Sequence, residues 1–303
     1  MRLLIAGADG QLGRSLRVSL KRHELALPGR AEMDVTDLEA VRAKVQANRP
    51  EVVFNASAFN AVDAAETDPE LAFRVNAVGA RNLALAAAEI DAGVVHVSTD
   101  YVFDGTAGRP YHEYDEPRPL SAYGRSKLAG ERAVALATSR HYIVRTAWLF
   151  HEDGSNFLNR MIALAAKGEV SVVNDQFGSP TYAPHLADAI ARLIESRAYG
   201  IYHFAGRGGT SWYELTRTLF RELGIRAQVV PLSSSEFPRP AQRPRYSVLT
   251  TLQEPRLMLP SWKQGVQAFA AAVNKRSQES PADSASSSSA QGGLAATGEP
   301  ENE

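Results

Sequence analysis

The chain has 303 residues, 44% hydrophobic and 22% charged, with a formal net charge of −1 and no cysteine. This composition fits an ordinary globular protein with room for one large α/β domain, or a large and a small one. It argues against nucleic-acid and anionic-membrane partners, which call for a strong field, and excludes disulfides, thiolate nucleophiles and thiolate metal sites.

Arg2-Leu3-Leu4-Ile5-Ala6 is a short apolar run that suits a buried parallel strand. The chain thus opens on a strand pattern instead of a signal peptide, and no apolar run approaches the roughly 18 residues of a membrane helix, so a cytoplasmic location is expected. Gly7-Ala8-Asp9-Gly10-Gln11-Leu12-Gly13 follows at once, and Leu12, Leu16 and Leu20 continue with helical spacing. Glycines between strand and helix let backbone turn tightly and approach a pyrophosphate, which meets the exposed N–H groups of the helix start. A ligand-free glycine connection has the same letters, but the strand–turn–helix setting favours nucleotide binding.

His23 to Leu27 reads as a second strand. An acid near its end would hold a ribose 2′-hydroxyl. Here the chain runs Pro28-Gly29-Arg30, and Arg30 either pairs with a 2′-phosphate or is a solvated arginine, with Asp34 the remaining acidic candidate. Thr36-Asp37-Leu38-Glu39 reads as a capping box for a helix to about Ala47. A third strand, Glu51 to Asn55, leads into Ala56-Ser57-Ala58, small residues where backbone closes on a cofactor. Asp68-Pro69 opens a long helix to about Glu89, with Asn76 merely tolerated inside it.

The fourth strand, Gly93 to Val97, ends in Ser98-Thr99-Asp100, whose polar groups face the crevice where such sheets bind ligands. After a Pro- and Gly-rich loop, Ser121 caps a helix bearing Tyr123-Gly124-Arg125-Ser126-Lys127. Tyr123 and Lys127 are i and i+4 and share a face. An ammonium beside a phenol lowers its pKa from about 10 and makes it a better proton donor. His141 to Ala147 is a fifth strand, followed by Trp148, which either faces a sugar ring or is an ordinary core residue.

Beyond residue 150, helices at about 155–167, 185–196, 211–223 and 261–274 alternate with strands at 170–173, 200–204 and 227–231. These elements predict a Rossmann-type doubly wound parallel sheet over 1–150, with some later segments returning to it. A smaller α/β substrate lobe is expected over 151–275, and the Ser-, Ala- and Gly-rich stretch 276–303 reads as a disordered tail. The seven histidines show no metal-ligand spacing, and His96 reads as a satisfied packing residue on a strand edge.

Several blocks occur together and in order: Gly7 to Gly13, Asn55 to Ala58, Ser98-Thr99-Asp100-Tyr101-Val102-Phe103-Asp104-Gly105, Tyr123 to Lys127, Asp175-Gln176-Phe177-Gly178-Ser179-Pro180-Thr181 and Arg239-Pro240 with Ser247-Val248-Leu249. With them the chain resembles the dTDP-4-dehydrorhamnose reductases, extended short-chain dehydrogenases/reductases, over about residues 1–275. The Gly-rich turn and Tyr-x-x-x-Lys specify only the superfamily; the two long blocks are narrower. The resemblance implies NADPH- or NADH-dependent reduction of the C4 ketone of dTDP-4-dehydro-L-rhamnose, with NADPH slightly favoured. It implies that Gly10, Gln11 and Leu12 touch the pyrophosphate, that Asp34 and Val35 line the adenosine end, and that Ala56, Ser57 and Ala58 lie along the dinucleotide. It makes Tyr123 the proton donor, with Thr99 giving a second hydrogen bond, Lys127 holding the nicotinamide ribose, and Thr99, Asp100 and Trp148 at the sugar. Asn156, the Asp175–Thr181 loop and Arg239 or Arg243 are candidates for the diphosphate and thymine.

Ser57 is a small departure from an alanine. Ser15 stands where some relatives carry a glutamate used in a metal-bridged dimer, so a magnesium link is doubtful and a monomer or a homodimer is expected. The same Tyr and Lys would serve another dTDP-4-ketosugar reductase or a nucleotide-sugar epimerase. A non-catalytic cofactor-binding regulatory subunit is the alternative of another class.

Overall fold

The computed structural model describes residues 1–279. In chain order, β1 (Arg2–Ala6) passes through the glycine turn into α1 (Gln11–Ser19), followed by β2 (Glu24–Ala26), α2 (Leu38–Asn48) and β3 (Val52–Asn55). Two short helices, α3 (Ala64–Thr67) and α4 (Pro69–Phe73), run into a π-helical stretch (Arg74–Gly79) and α5 (Ala80–Ala88). β4 (Gly93–Thr99), α6 (Ala122–Ala137), β5 (His141–Thr146) and β6 (Leu149–Phe150) come next. They are followed by α7 (Phe157–Leu164), β7 (Glu169–Val173), β8 (Phe177–Gly178), β9 (Thr181–Tyr182), α8 (Ala183–Ser196) and β10 (Gly200–His203). β11 (Thr210–Ser211), α9 (Trp212–Leu223), β12 (Gln228–Leu232) and α10 (Trp262–Glu279) end the described chain.

Six parallel strands form the central sheet in the order β10-β5-β4-β3-β1-β2. Both faces are buried, so the strands read as apolar runs without polar alternation. Leu3, Ile5, Val52, Phe54, Tyr142 and Val144 pack on one face under α1 and α8, while Leu4, Val53 and Val94 pack on the other with α2, α5 and α6. The chain goes from β1 out to β2 and crosses back to β3 on the opposite side of β1, which leaves a crevice beyond their C-terminal ends. Ala6 is level with Asn55 across that switch point, so the glycine turn and the Ala56–Ala58 segment face each other.

A second core gathers Phe150, Leu158, Val170, Leu215, Leu219 and Phe269 where α7, α9 and α10 meet the parallel pair β7–β12. Residues from both halves of the chain build the first sheet: β10 lies beside β5, and α8 packs on α1.

Four local expectations differ from the structure. The long helix over 69–89 is broken by the π-helical stretch, because Asn76 turns inward instead of lying tolerated on a regular helix. Its amide accepts from Phe59 N (2.8 Å) and donates to Phe59 O (3.1 Å) and Ser126 Oγ (2.9 Å), tying the loop after β3 to α6. The cap of α2 is Asp37, not a Thr36 box: its carboxylate accepts from Glu39 N and Ala40 N. His96 lies mid-strand in a central strand. Its Nδ1 is 3.0 Å from Asn55 Nδ2, while Nε2 has no hydrogen-bond partner. Finally, α10 continues to Glu279 instead of ending near Asn274, and its last turn carries Arg276, a favourable charge there, which also binds Asp153 and Glu152. The disordered tail expected over 276–303 therefore fails for 276–279, and 280–303 lie outside the described residues.

Candidate active site

The glycine turn is built by close approach. Gly7 has φ +81°, and a Cβ there would lie 2.7 Å from Ser57 N; a Cβ on Gly13 would lie 2.1 Å from Gly7 O. Gly10 caps α1 without a side-chain acceptor, so the first N–H groups of that helix are left free beside Gln11 and Leu12, which line a cavity of about 340 Å³. Uncapped N–H groups at a helix start suit a pyrophosphate. On the opposite wall, Asn55 Oδ1 accepts from Ser57 N (3.2 Å) and Ser57 Oγ (2.7 Å). Ser57 is therefore fixed in a local turn that an alanine would hold by one bond only.

The catalytic candidates meet in the same cavity. Thr99, Asp100, Tyr123, Lys127 and Trp148 all line it together with Gly10, Gln11, Leu12 and Ala56 to Ala58. Ser121 accepts from Gly124 N (3.1 Å) to start α6. A Cβ on Gly124 would come within 2.2 Å of Tyr101 O, so only glycine lets the helix start against the 3₁₀ turn that follows β4. Tyr123 Oη donates to Asn60 Oδ1 at 3.5 Å, and Thr99, whose Oγ1 donates to Asp100, lines the same cavity.

Lys127 differs from its expected part. Its Nζ donates to Val97 O at 2.6 Å. The i, i+4 spacing puts both residues on one face, but the long lysine stem reaches down to the end of β4. Burial pushes the Tyr123 phenol well above its ordinary value, with the neighbouring Thr99 hydroxyl opposing and the Asp100 charge adding to the rise. Burial also draws Lys127 down to about 8, against the pull of Glu131. The phenol is protonated at neutral pH, and burial strengthens its hold on that proton.

Asp100 is 2% exposed, accepts from Ser247 Oγ (2.5 Å) and Thr99 Oγ1 (3.1 Å), and is pushed up to about 7 by burial against those bonds. The folded state thus holds this proton more tightly than the unfolded chain. The stabilisation is complete below the ordinary pKa of 3.8 and is lost as pH rises towards 7. Asp100→Asn removes the dependence: its stability relative to the native chain should rise between those pH values by up to about 4 kcal/mol. Thermal unfolding of both proteins across the range measures it, and a constant difference would contradict it.

Trp148 adopts the left-handed region (φ +48°), and its indole lies against Gly178, where a Cβ would come within 2.3 Å of the ring. It stacks on Trp212 with centroids 3.4 Å apart and planes 5° from parallel.

Residues 1–275 match the family described as RmlD substrate binding domain. A dTDP-4-dehydrorhamnose reductase of Streptomyces griseus is 46% identical over 258 residues, 82% of this chain and 85% of that protein. The chain belongs to the dTDP-4-dehydrorhamnose reductase family. A dTDP-4-keto-6-deoxy-D-glucose reductase of Streptomyces niveus is also similar, at 42% identity over 82% of this chain and 88% of that protein. Among solved structures, the dTDP-4-dehydrorhamnose reductase of Bacillus anthracis in complex with NADP superposes with a TM-score of 0.87 at 38% identity, covering 89% of this chain and 99% of that one.

Other residues that the reductase resemblance singled out lie away from this cavity's lining. Gly7 and Gly13 shape the turn from behind. Arg30 is exposed and pairs with Asp34 at 3.6 Å; Asp34 itself accepts from Thr36 N and Oγ1. Val35 packs on Gly79, and its carbonyl accepts from Asn82. Asn156 caps α7 and donates to Gln11 Oε1 (3.2 Å), so it braces the phosphate turn. Asp175 is engaged by Ser233 and Ser234. Ser15 Oγ turns back to Gln11 O, and no group of three or more His, Cys, Asp or Glu able to hold a metal is found among the described residues. No helix among them is long and apolar enough to cross a membrane.

Sequence reasoning for a reductase missed Asn60, Thr146 and Trp212 and gave Tyr101 no role, yet all four line the cavity. Trp212 gave a weak signal as the first residue of a capped helix. Asn60 gave none, because its partner Tyr123 is distant in sequence, and Thr146 is one strand residue among others.

Proposed function

We propose that the chain reduces the C4 ketone of dTDP-4-dehydro-L-rhamnose with NADPH, Tyr123 giving the proton. The observation that carries this reading is the convergence of Tyr123, Thr99 and the uncapped start of α1 on one cavity, in a chain of this reductase family. A reduced nicotinamide, when bound, supplies the hydride. The α1 N–H groups with Gln11 and Leu12 hold its pyrophosphate, and Ala56 to Ala58 close along it. Arg30, exposed beyond β2, is the residue for a 2′-phosphate.

Charge builds on the carbonyl oxygen as the ketone is reduced. Thr99 and Tyr123 meet that charge with two O–H donors held in a dry site, where such bonds count most. Burial keeps the Tyr123 proton in place until a more basic alkoxide forms to take it. Lys127, anchored on Val97 O, offers its remaining N–H bonds to the cofactor ribose. Trp148 presents an indole face to the sugar.

The Streptomyces niveus relative favours one second reading, a different dTDP-4-ketosugar reductase. One assay separates the readings. Purified protein is mixed with dTDP-4-dehydro-L-rhamnose and NADPH or NADH, nicotinamide absorbance is followed, and the product is assigned by NMR. Stoichiometric NADPH oxidation with dTDP-L-rhamnose as product is expected. A C4 epimer of that product, or no oxidation, would overturn the reading.

A further inference from the structure

His96 is fully buried in β4 between Val95 and Val97, and its Nε2 has no hydrogen-bond partner among the described residues. A buried polar group left unpaired opposes folding, so an imidazole at this place calls for a compensating role. Its other nitrogen supplies one. Asn55 lies level with His96 across the β3–β4 pair, and Asn55 Nδ2 is 3.0 Å from His96 Nδ1. At its other end the same amide accepts from Ser57 N at 3.2 Å and from Ser57 Oγ at 2.7 Å. A backbone N–H can only donate, so the amide oxygen faces Ser57 and the NH₂ group faces His96. His96 Nδ1 is therefore an acceptor, and the proton of the neutral ring sits on Nε2. Burial, together with the Lys127 charge, keeps the ring neutral, as that bond requires.

His96 and Asn55 lie behind the cavity lining, whereas Ser57 is part of it. Ser57 is also where the two walls of the crevice touch. A Cβ on Gly7 would lie 2.7 Å from Ser57 N and 2.8 Å from the carbonyl carbon and oxygen of Ala56. Whatever holds Ser57 therefore holds the Ala56–Ala58 segment against the glycine turn.

We propose that His96 is a positioning residue for the cofactor: its Nδ1 fixes the Asn55 amide, the amide fixes Ser57, and Ser57 sets the gap between the Ala56–Ala58 wall and the glycine turn. This rests on the reading of that wall and that turn as the dinucleotide site. Without an acceptor at position 96, the Asn55 amide is free to rotate and turn its NH₂ group towards Ser57 N, so that two donors face each other. The backbone at Ser57 then shifts, and dinucleotide affinity falls although no group that touches the cofactor has been replaced. An apolar residue at 96 would avoid the unpaired Nε2 but would release the amide.

The test compares His96→Asn with His96→Leu. The two side chains are similar in size and remove the same part of the ring, but only asparagine keeps an acceptor near the Nδ1 position. NADPH affinity is measured by fluorescence titration, and kcat and the KM values for NADPH and the ketosugar by steady-state kinetics. His96→Leu should bind NADPH about threefold to tenfold more weakly, the effect of one neutral hydrogen bond, while kcat and the ketosugar KM at saturating NADPH stay close to native. His96→Asn should recover most of that affinity. Lost packing would lower the thermal midpoint of both variants alike and would not separate their NADPH affinities. An NADPH affinity in His96→Asn no better than in His96→Leu would overturn the role, as would a fall in kcat with NADPH affinity untouched. Should His96→Leu fail to fold, nitrogen NMR of the His96 ring in the native chain decides: a proton on Nε2 is expected, and a proton on Nδ1 would overturn the proposal. A native chain that binds no NADPH would instead remove the dinucleotide reading on which the role rests.

Discussion

Tyr123→Phe should lower turnover of the ketosugar by roughly 10²–10⁴-fold, the range for a lost general acid, while NADPH binds as before. The change removes a hydroxyl and little else. Phenylalanine keeps the edge-to-face packing on Tyr101, whose ring centroid lies 6.0 Å away. The partners left behind are not stranded: Asn60 is exposed to water, and Thr99 retains its bond to Asp100. Fold and cofactor affinity should therefore survive, and the loss should fall on kcat. Steady-state kinetics together with a fluorescence titration of NADPH separates the two quantities. A variant that turned over at the native rate would take Tyr123 out of the chemistry.

Arg145→Met should destabilise the fold by about 3–5 kcal/mol, the usual result of stranding one member of a buried ion pair. Arg145 and Glu131 are both almost fully buried, and three N–H···O contacts of 2.7–3.2 Å join them. Ser98 Oγ adds a bond of 2.5 Å to Glu131. On the other side, His203 lies 3.4 Å from Arg145 Nη1, and burial together with that arginine holds the imidazole down to about 4, so it stays neutral. The network joins β4, β5, β10 and α6 directly beneath the strand ends that carry Thr99. With methionine at 145, Glu131 is left buried without its ion-pair partner. Thermal unfolding should show a midpoint lower by on the order of 10 °C. Adding Glu131→Leu should restore much of the loss, because an apolar pair of similar volume avoids the desolvation cost. If the double variant were less stable than the single one, the uncompensated charge would not be the cause.

The parts of the site that could be read from the sequence are contiguous. Gly7 to Gly13, Ser98 to Asp100 and Tyr123 to Lys127 are short segments whose glycines, hydroxyls and i, i+4 spacing carry their own geometry. The sheet was legible for a similar reason: Leu3 to Ala6, Val52 to Phe54 and Val94 to Val97 are apolar runs bounded by turns. Features formed between distant segments were not legible. Asn76 meets Phe59 and Ser126 across 17 and 50 residues, and Asp63 meets Arg239 across 176, so neither has a local signature. Lys127 shows a subtler limit. Its spacing from Tyr123 was informative, but the direction of its ammonium depended on a strand carbonyl thirty residues earlier. The π-helical stretch has the same origin, since one inward asparagine outweighed the local preference of an alanine-rich segment for regular helix.

The late arrival of α8 and β10 has a consequence for how the protein is made. When the ribosome has delivered the first 150 residues, β5 still has an open edge and Leu12, Leu16 and Leu20 of α1 lack the helix that covers them. That nascent portion carries sticky surface until residues 183–203 emerge and close it. For the same reason, a protease nick between residues 151 and 182 should leave two interlocked fragments, since the downstream piece supplies a strand and a helix to the sheet begun by the upstream one.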